Sequence, residues 1–434
     1  MFIKIIVIAM LAGLASILAN QGIAVFNDGL RPLIPENLEG RMDRKSLSAT
    51  SFALSFGLVI GFGIPFSIGK TIILIHSILL GTDIIGTAFS RDKKGMVLSG
   101  GAGAAYGVGL VLGLQAVVDI FAKLPVNFLP NLSAIGSPII VAFAVFPVLV
   151  IGYQYGVKKG ALSLMIVLIA RQLVSVFGKF AVGSATISLN ADGIALLVGI
   201  IVMLFFAIND KTESTNSNAT LIGIFSERVA KVKKNILILS LMGGLVSAAV
   251  SLGMLAGDPI SLNLIAEGQK FDAGIVALAR TIGFIPLVAT TAITTGVYGP
   301  TGLTFVFAIG IFVSNPIVAF VLGAATLGLE IILLEQIAKL LDKFPGIKAC
   351  GDQIRTSMTK VLEVALLVGA MVACNNMAGN NGLGYLFVIG VYLLNRASKK
   401  PLVDMAVGPI ATILFGIILN ILFLVKLFVP VVAG

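Results

Sequence analysis

Residues 283–302 read GFIPLVATTAITTGVYGPTG. Pro286, Pro300 and glycines 283, 296, 299 and 302 bracket a run of threonines, and apolar stretches lie on either side. Within hydrocarbon no water satisfies a freed backbone group, so irregular backbone survives only where protein buries it or a wet cavity lies beside it. The stretch is therefore a candidate wall of an intramembrane site. Thr290, Thr291, Thr294 and Thr295 form one hydroxylated stripe on a helix, with breaks expected at Pro286 and at Gly296–Gly302. The competing reading gives these hydroxyls to i−4 carbonyls or to a neighbouring helix.

The whole chain is apolar. Of its 434 residues 58% are hydrophobic and only 12% charged, and the mean hydropathy is +1.07. That composition excludes a soluble core-and-surface protein and implies a polytopic membrane protein with the lipid bilayer as its solvent. A bilayer core needs roughly 20 apolar residues per helix. The net charge of +10 lies in short clusters between apolar runs, among them RMDRK at 41–45, RDKK at 91–94, RVAKVKK at 228–234 and RASKK at 396–400. They read as cytoplasmic loops under the positive-inside rule rather than as a nucleic-acid surface. The first run, FIKIIVIAMLAGLASILA, reads as the first mature helix rather than a secretory signal, since no small-x-small cleavage pattern follows. Cys350 and Cys374 suggest neither a disulfide nor a metal site.

Crossings are expected near 2–25, 49–69, 70–89, 95–121, 134–156, 160–178, 192–208, 235–256, 273–298, 301–319, 320–341, 359–377, 382–395 and 403–429. The fold class is thus all-α polytopic, with about 12–14 transmembrane segments, some broken or re-entrant. The polar loop NDKTESTNSNAT at 209–220 divides the chain into a first half, 1–208, a linker, 209–234, and a second half, 235–434. An odd number of crossings per half would invert one half relative to the other. LAGLAS at 11–16 resembles MGGLVS at 242–247, and IGFGIP at 60–65 resembles TIGFIP at 281–286, while SPIIVAF at 137–143 and NPIVAF at 315–320 fall out of that register. Inverted repeats build two access states around one site, and paired broken segments point to it. Gly63 and Pro65 accordingly join the candidate substrate site.

Embedded charge supplies the remaining candidates. Arg280 precedes TIGFIP in an apolar run, and Arg31 lies with Asp28 and Glu36 in FNDGLRPLIPE. Either arginine could meet negative charge on a substrate. Asp83 in LLGTDIIG, Glu330 in TLGLEIILLEQ, Glu363 in KVLEVALLVG and Asp28 are candidates for ion or proton coupling, with pairing to Arg171, Lys179 or Arg280 as the rival account. His76, the sole histidine, reads as a packing or interfacial residue. HExxH, P-loop and CxxC patterns are absent, so no enzyme activity, cofactor or metal is expected.

FNDGLRPLIPENLEGRM, LGTDIIG, SPIIVAFAVFPVL, ARTIGFIPLVATTAITTGVYGPTGLTFVFAIG, NPIVAFVLGA and MTKVLEVALLVG together resemble the YhfT family of bacterial inner-membrane proteins. The resemblance runs over essentially the whole chain. It implies a multi-spanning protein of the bacterial inner membrane and supplies no site residues. The length and glycine-rich breaks are also similar to galactitol- and ascorbate-type permeases of the phosphotransferase system, by fold-level analogy alone. The expectation is a secondary transporter, elevator-like and homodimeric, for a small polar, anionic metabolite. One alternative is a phosphotransferase-type permease whose basic loops dock cytosolic carrier proteins. The other is a non-transporting scaffold or membrane enzyme.

Overall fold

The computed structural model describes residues 2–430 apart from 133–134, 136–137, 139–140, 143, 183–184, 211–218, 400 and 403. Most of the polar loop at 209–220, and part of SPIIVAF at 137–143, thus lie outside the described residues. The described chain is overwhelmingly helical, as a backbone that must satisfy its own hydrogen bonds in lipid requires. Among the described residues, eight helices are long and apolar enough to span a membrane. The number is nine if Glu227–Lys234 and Ile236–Ser251, bent by 62° at a short break, count as one span. The protein is a multi-pass membrane protein.

Several expected crossings are shorter pieces. The segment at 49–69 is a helix, Arg44–Leu58, then one π-helical turn, Val59–Gly63, then a second helix, Ile64–Lys70. At 70–89 the helix is Ile75–Ala88. At 301–319 an eight-residue helix, Phe305–Phe312, stops before the long helix Pro316–Lys343 begins. Apolar runs do not distinguish a crossing from a buried half-helix, so counting them gives more segments than there are helices long enough to span among the described residues.

The first helix, Phe2–Gln21, packs along Lys93–Ala122 through small residues. A Cβ added to Gly103 would lie 2.5 Å from the Ser16 Cβ and 2.7 Å from the Ala12 carbonyl oxygen. In the second half Ile236–Ser251 packs along Pro316–Lys343 in the same way, where a Cβ on Gly323 would lie 2.7 Å from the Gly243 carbonyl oxygen. Ser16 and Ser247, matching positions of LAGLAS and MGGLVS, both sit in these seams. Ser16 hydrogen-bonds Ser99 at 2.7 Å, and Ser247 donates to the Val306 carbonyl at 2.8 Å. Backbones this close gain dispersion and leave no room for lipid, which is how small residues join membrane helices.

Two short extended contacts tie the halves together. Ile73–Leu74 pairs in parallel with Leu255–Ala256, and Ala24 bridges in parallel to Tyr298. Ala24 follows Phe2–Gln21 as Leu255 follows Ile236–Ser251, and Ile73 precedes Ile75–Ala88 as Tyr298 precedes Phe305–Phe312. The offset that lays LAGLAS on MGGLVS also lays Ala24 on Leu255. Residues 179–182 and 185–188 form a separate antiparallel pair.

Candidate functional site

The helix Lys270–Thr295 carries the first part of the opening motif and runs unbroken through Pro286. Neighbouring helices hold it, and proline inside a membrane helix is tolerated under such packing. The break comes at Gly296, whose φ of 67° is the left-handed conformation common just past a helix C-terminus. Arg228 closes that end by donating to the Thr295 carbonyl at 3.0 Å. Irregular backbone then runs from Val297 to Thr304, with Gly302 at φ 56° and Thr304 at φ 75°. A β-branched residue at positive φ is a steric outlier that its surroundings must hold in place. The Thr304 hydroxyl lies 2.9 Å from that of Thr281.

This irregular segment forms part of a cavity of about 370 Å³, within the range of small-molecule sites. Its polar side comprises Asn27, Asp28, Arg31, His76, Arg280, Thr301, Thr304 and Thr359, and its apolar side includes Leu54, Leu58, Phe284, Leu287, Met358 and Met405. Arg31 is 4% exposed and Arg280 7%. Arg31 donates through Nε to the Val25 carbonyl at 2.8 Å and through Nη2 to the Phe26 carbonyl at 3.1 Å, and Nη2 also lies 2.9 Å from Asp28. Arg280 donates through Nη1 to the Gly257 carbonyl at 2.8 Å, stands over the Phe307 ring at 4.9 Å, and has Asp258 at 3.6 Å. Three guanidinium nitrogens are nevertheless buried without a hydrogen-bond partner: Nη1 of Arg31, and Nε and Nη2 of Arg280.

The structure therefore brings Arg31, Arg280 and Asp28 to one cavity. It does not bring the threonine stripe there. Thr290 donates to the Pro286 carbonyl, Thr291 to Leu287, Thr294 to Thr290 and Thr295 to Thr291, at 2.6–2.8 Å. Each hydroxyl is thus spent on its own helix. Pro286 and Pro65 also lie outside the cavity lining, and so does Gly63, which packs so closely that an added Cβ would lie 2.7 Å from the Ser77 backbone nitrogen. The break in IGFGIP is the π-helical turn ahead of Pro65, not a proline kink.

The four candidate carboxylates differ in their partners. Glu363 pairs with Lys360 at 2.9 Å and Arg396 at 3.1 Å, not with Arg171, which pairs with Asp192, or Arg280, which faces Asp258. Asp28 pairs with Arg31. Asp83 accepts from the backbone N–H groups of Phe26 and Asn27, at 3.0 and 2.8 Å through Oδ2, and so fixes the chain just past Ala24. Glu330 accepts through Oε2 from the Leu303 N–H at 2.7 Å and the Tyr298 hydroxyl at 3.3 Å. Its Oε1 is buried without a hydrogen-bond partner.

Some cavity residues carried no sequence signal of their own. Thr301 and Thr304 lie just beyond the conspicuous stripe; Asp258, outside the lining but beside Arg280, caps Pro259–Ala266 by accepting from the Ser261 N–H at 2.8 Å and looks like an ordinary capping residue. His76 is a packing residue as expected, edge-on to Phe26 and Phe62 at 5.1 and 4.9 Å, yet it also lines the cavity and its Nδ1 is buried without a hydrogen-bond partner. Among the described residues no cluster of three or more His, Cys, Asp or Glu could hold a metal ion.

The YhfT family model, described as a protein of unknown function, matches residues 4–428. The uncharacterized protein YhfT of Escherichia coli (strain K12) is 34% identical over 445 residues, covering 99% of each chain. No solved structure matches.

Proposed function

We propose that this chain, which belongs to the YhfT family, is a membrane transporter for a small organic anion held in the cavity between Arg31 and Arg280. The observation that carries the reading is the set of three guanidinium nitrogens without a hydrogen-bond partner on two buried arginines lining one cavity, one of which, Nε of Arg280, has a carboxylate, Asp258, at ion-pair distance. An arginine cannot shed its proton, so burial leaves it charged and its unused donors costly. A carboxylate or phosphate oxygen is the acceptor whose geometry and charge suit them. The apolar side of the cavity, with Leu54, Phe284 and Met405, suits a ligand whose remaining body is not strongly polar.

Two inverted halves, 1–208 and 235–434, belong to the same proposal. The exchanged contacts Ala24 with Tyr298 and Leu255 with Ile73 support it, since a two-fold repeat turns one pair into the other. Both arginines hold carbonyls just past these contacts, Phe26 for Arg31 and Gly257 for Arg280. The site then lies where the halves cross, as alternating access requires. Movement of one bundle as an elevator, assembly as a homodimer and residence in the bacterial inner membrane complete the reading.

The test is a thermal-stability screen of the purified protein against small mono- and dicarboxylates and phosphate esters. At least one should raise the melting temperature of the native protein but not of Arg280→Ala. A panel without effect, or equal stabilisation of Arg280→Ala, would refute the site.

A further inference from the structure

The helix Pro316–Lys343 crosses the second half with one carboxylate, Glu330, near its middle. The side chain is 5% exposed. Both hydrogen bonds it accepts come from neutral donors on the irregular segment, the Leu303 N–H and the Tyr298 hydroxyl, and both reach Oε2. Oε1 has no hydrogen-bond partner. A carboxyl protonated on Oε1 fits this arrangement: Oε2 would be its carbonyl oxygen, accepting two donors, and Oε1 its hydroxyl.

Among the described residues, the charged groups that form ion pairs on the elements packed against this helix form them with groups other than Glu330. Ile236–Ser251 and Phe305–Phe312 contain no charged residue. Ala219–Lys234 brings Lys233, paired with Glu335 at 2.9 Å, Arg228, paired with Glu39 at 3.1 Å, and Glu227, Lys231 and Lys234, none of them in an ion pair with Glu330. Lys270–Thr295 brings Arg280, held by Gly257 and Asp258, and Lys270 and Asp272 in its first turn. Among its described side chains, Pro345–Met377 brings Lys360 and Glu363, paired with each other. Titratable Tyr298 is the group in direct contact. Among the described residues no lysine or arginine forms an ion pair with Glu330.

We propose that Glu330 is a proton-binding site whose occupancy is read by the cavity through residues 297–304. Tyr298 anchors that segment to the first half, donating its N–H to the Ile23 carbonyl at 3.1 Å and accepting from the Val25 N–H at 3.0 Å. Leu303 is flanked by Gly302 and Thr304, both on the cavity wall, and Gly302 packs so closely on Glu330 that a Cβ there would overlap its carboxylate. A proton is favoured over a metal cation because the two groups facing Oε2 present hydrogens rather than lone pairs. The proton enters Oε1 from water on one side of the membrane and returns to water, so Glu330 carries charge through the cycle only when empty. As a coupling device the inference rests on the reading of the cavity as a transport site; as a proton site it stands alone.

The experiment is infrared difference spectroscopy of the full-length protein in lipid nanodiscs, titrated from acid to alkaline pH. A protonated-carboxyl C=O band should be present in the native protein and missing from Glu330→Gln, and Tyr298→Phe, which removes one of the two donors, should shift both its frequency and the pH at which it disappears. An identical band in Glu330→Gln would overturn the proposal. If Glu330→Gln does not fold, a band that Tyr298→Phe leaves unmoved overturns it instead. Loss of the transport reading, seen as no anion binding dependent on Arg280, would leave the Glu330 band in place, so the two failures are distinguishable.

Discussion

Arg31 and Arg280 stand in different halves of the chain, yet each holds a backbone carbonyl that follows an extended contact between the halves, Phe26 for Arg31 at 3.1 Å and Gly257 for Arg280 at 2.8 Å. Both line the same cavity. The arginines therefore fasten the crossing, and on the proposed reading their remaining donors serve a ligand.

Substituting either should weaken binding of an anion more than it weakens the fold. A hydrogen bond to a charged group contributes about 1.5–3 kcal/mol, so Arg280→Ala should raise Kd by roughly one to two orders of magnitude. Arg280→Lys, which keeps the charge but loses the planar fork, should recover only part of the loss. Titration calorimetry of both variants with an anion found in the stability screen checks this.

The threonine stripe gives the opposite expectation. Its hydroxyls already donate to Pro286, Leu287, Thr290 and Thr291 carbonyls. Replacing Thr291, Thr294 and Thr295 together with valine should leave the anion affinity of the purified protein unchanged within twofold. A tenfold loss in the same titration would put the stripe back in the site.

What the sequence disclosed and what it hid follow from the physics of each residue. Buried charge is conspicuous in an apolar chain, so Arg31, Arg280, Asp83 and Glu330 were visible, as were Gly296 and Gly302, which a helix end and a left-handed turn demand. Threonine is ambiguous: Thr290 and Thr304 are chemically alike, and only the backbone decides that one bonds its own helix while the other sits at φ 75° on the cavity wall. Pro286 looked like a break because proline lacks an N–H, yet tertiary packing carries the helix through it. Fewer segments than expected are helices long enough to span among the described residues, because short helices such as Phe305–Phe312 are as apolar as the long ones.

The two glycine seams make a matched pair of stability tests. Gly103 faces Ser16 and Ala12, and Gly323 faces Gly243 and Ser247. Replacing either with leucine forces two helices apart, a kind of overpacking that costs about 1–3 kcal/mol or more. Gly103→Leu and Gly323→Leu should both lower the melting temperature markedly, whereas leucine at Gly109, with open space around its Cβ, should not. Thermal unfolding followed by circular dichroism checks the set.

A pH-dependent test comes from the edge of the membrane. Asp92 caps Lys93–Ala122 by accepting from the Gly95 N–H at 2.6 Å, and this bond, with that from Ser90, holds its carboxyl below the ordinary value. A depressed carboxyl stabilises the fold above the unfolded value, about pH 4, and that contribution is lost as pH falls through the folded value. Asp92→Ala should therefore melt below the native protein at neutral pH, and the gap should close on acidification. A gap independent of pH would show that the ionised cap is not its source.

Transport itself is the central claim, and flux across a sealed membrane tests it most directly. Protein reconstituted into proteoliposomes should carry a radiolabelled anion identified in the stability screen into the lumen at a saturable rate, and Arg280→Ala vesicles should match protein-free ones. Uptake by the native protein no faster than by empty vesicles, with the anion bound but never crossing, would contradict the account.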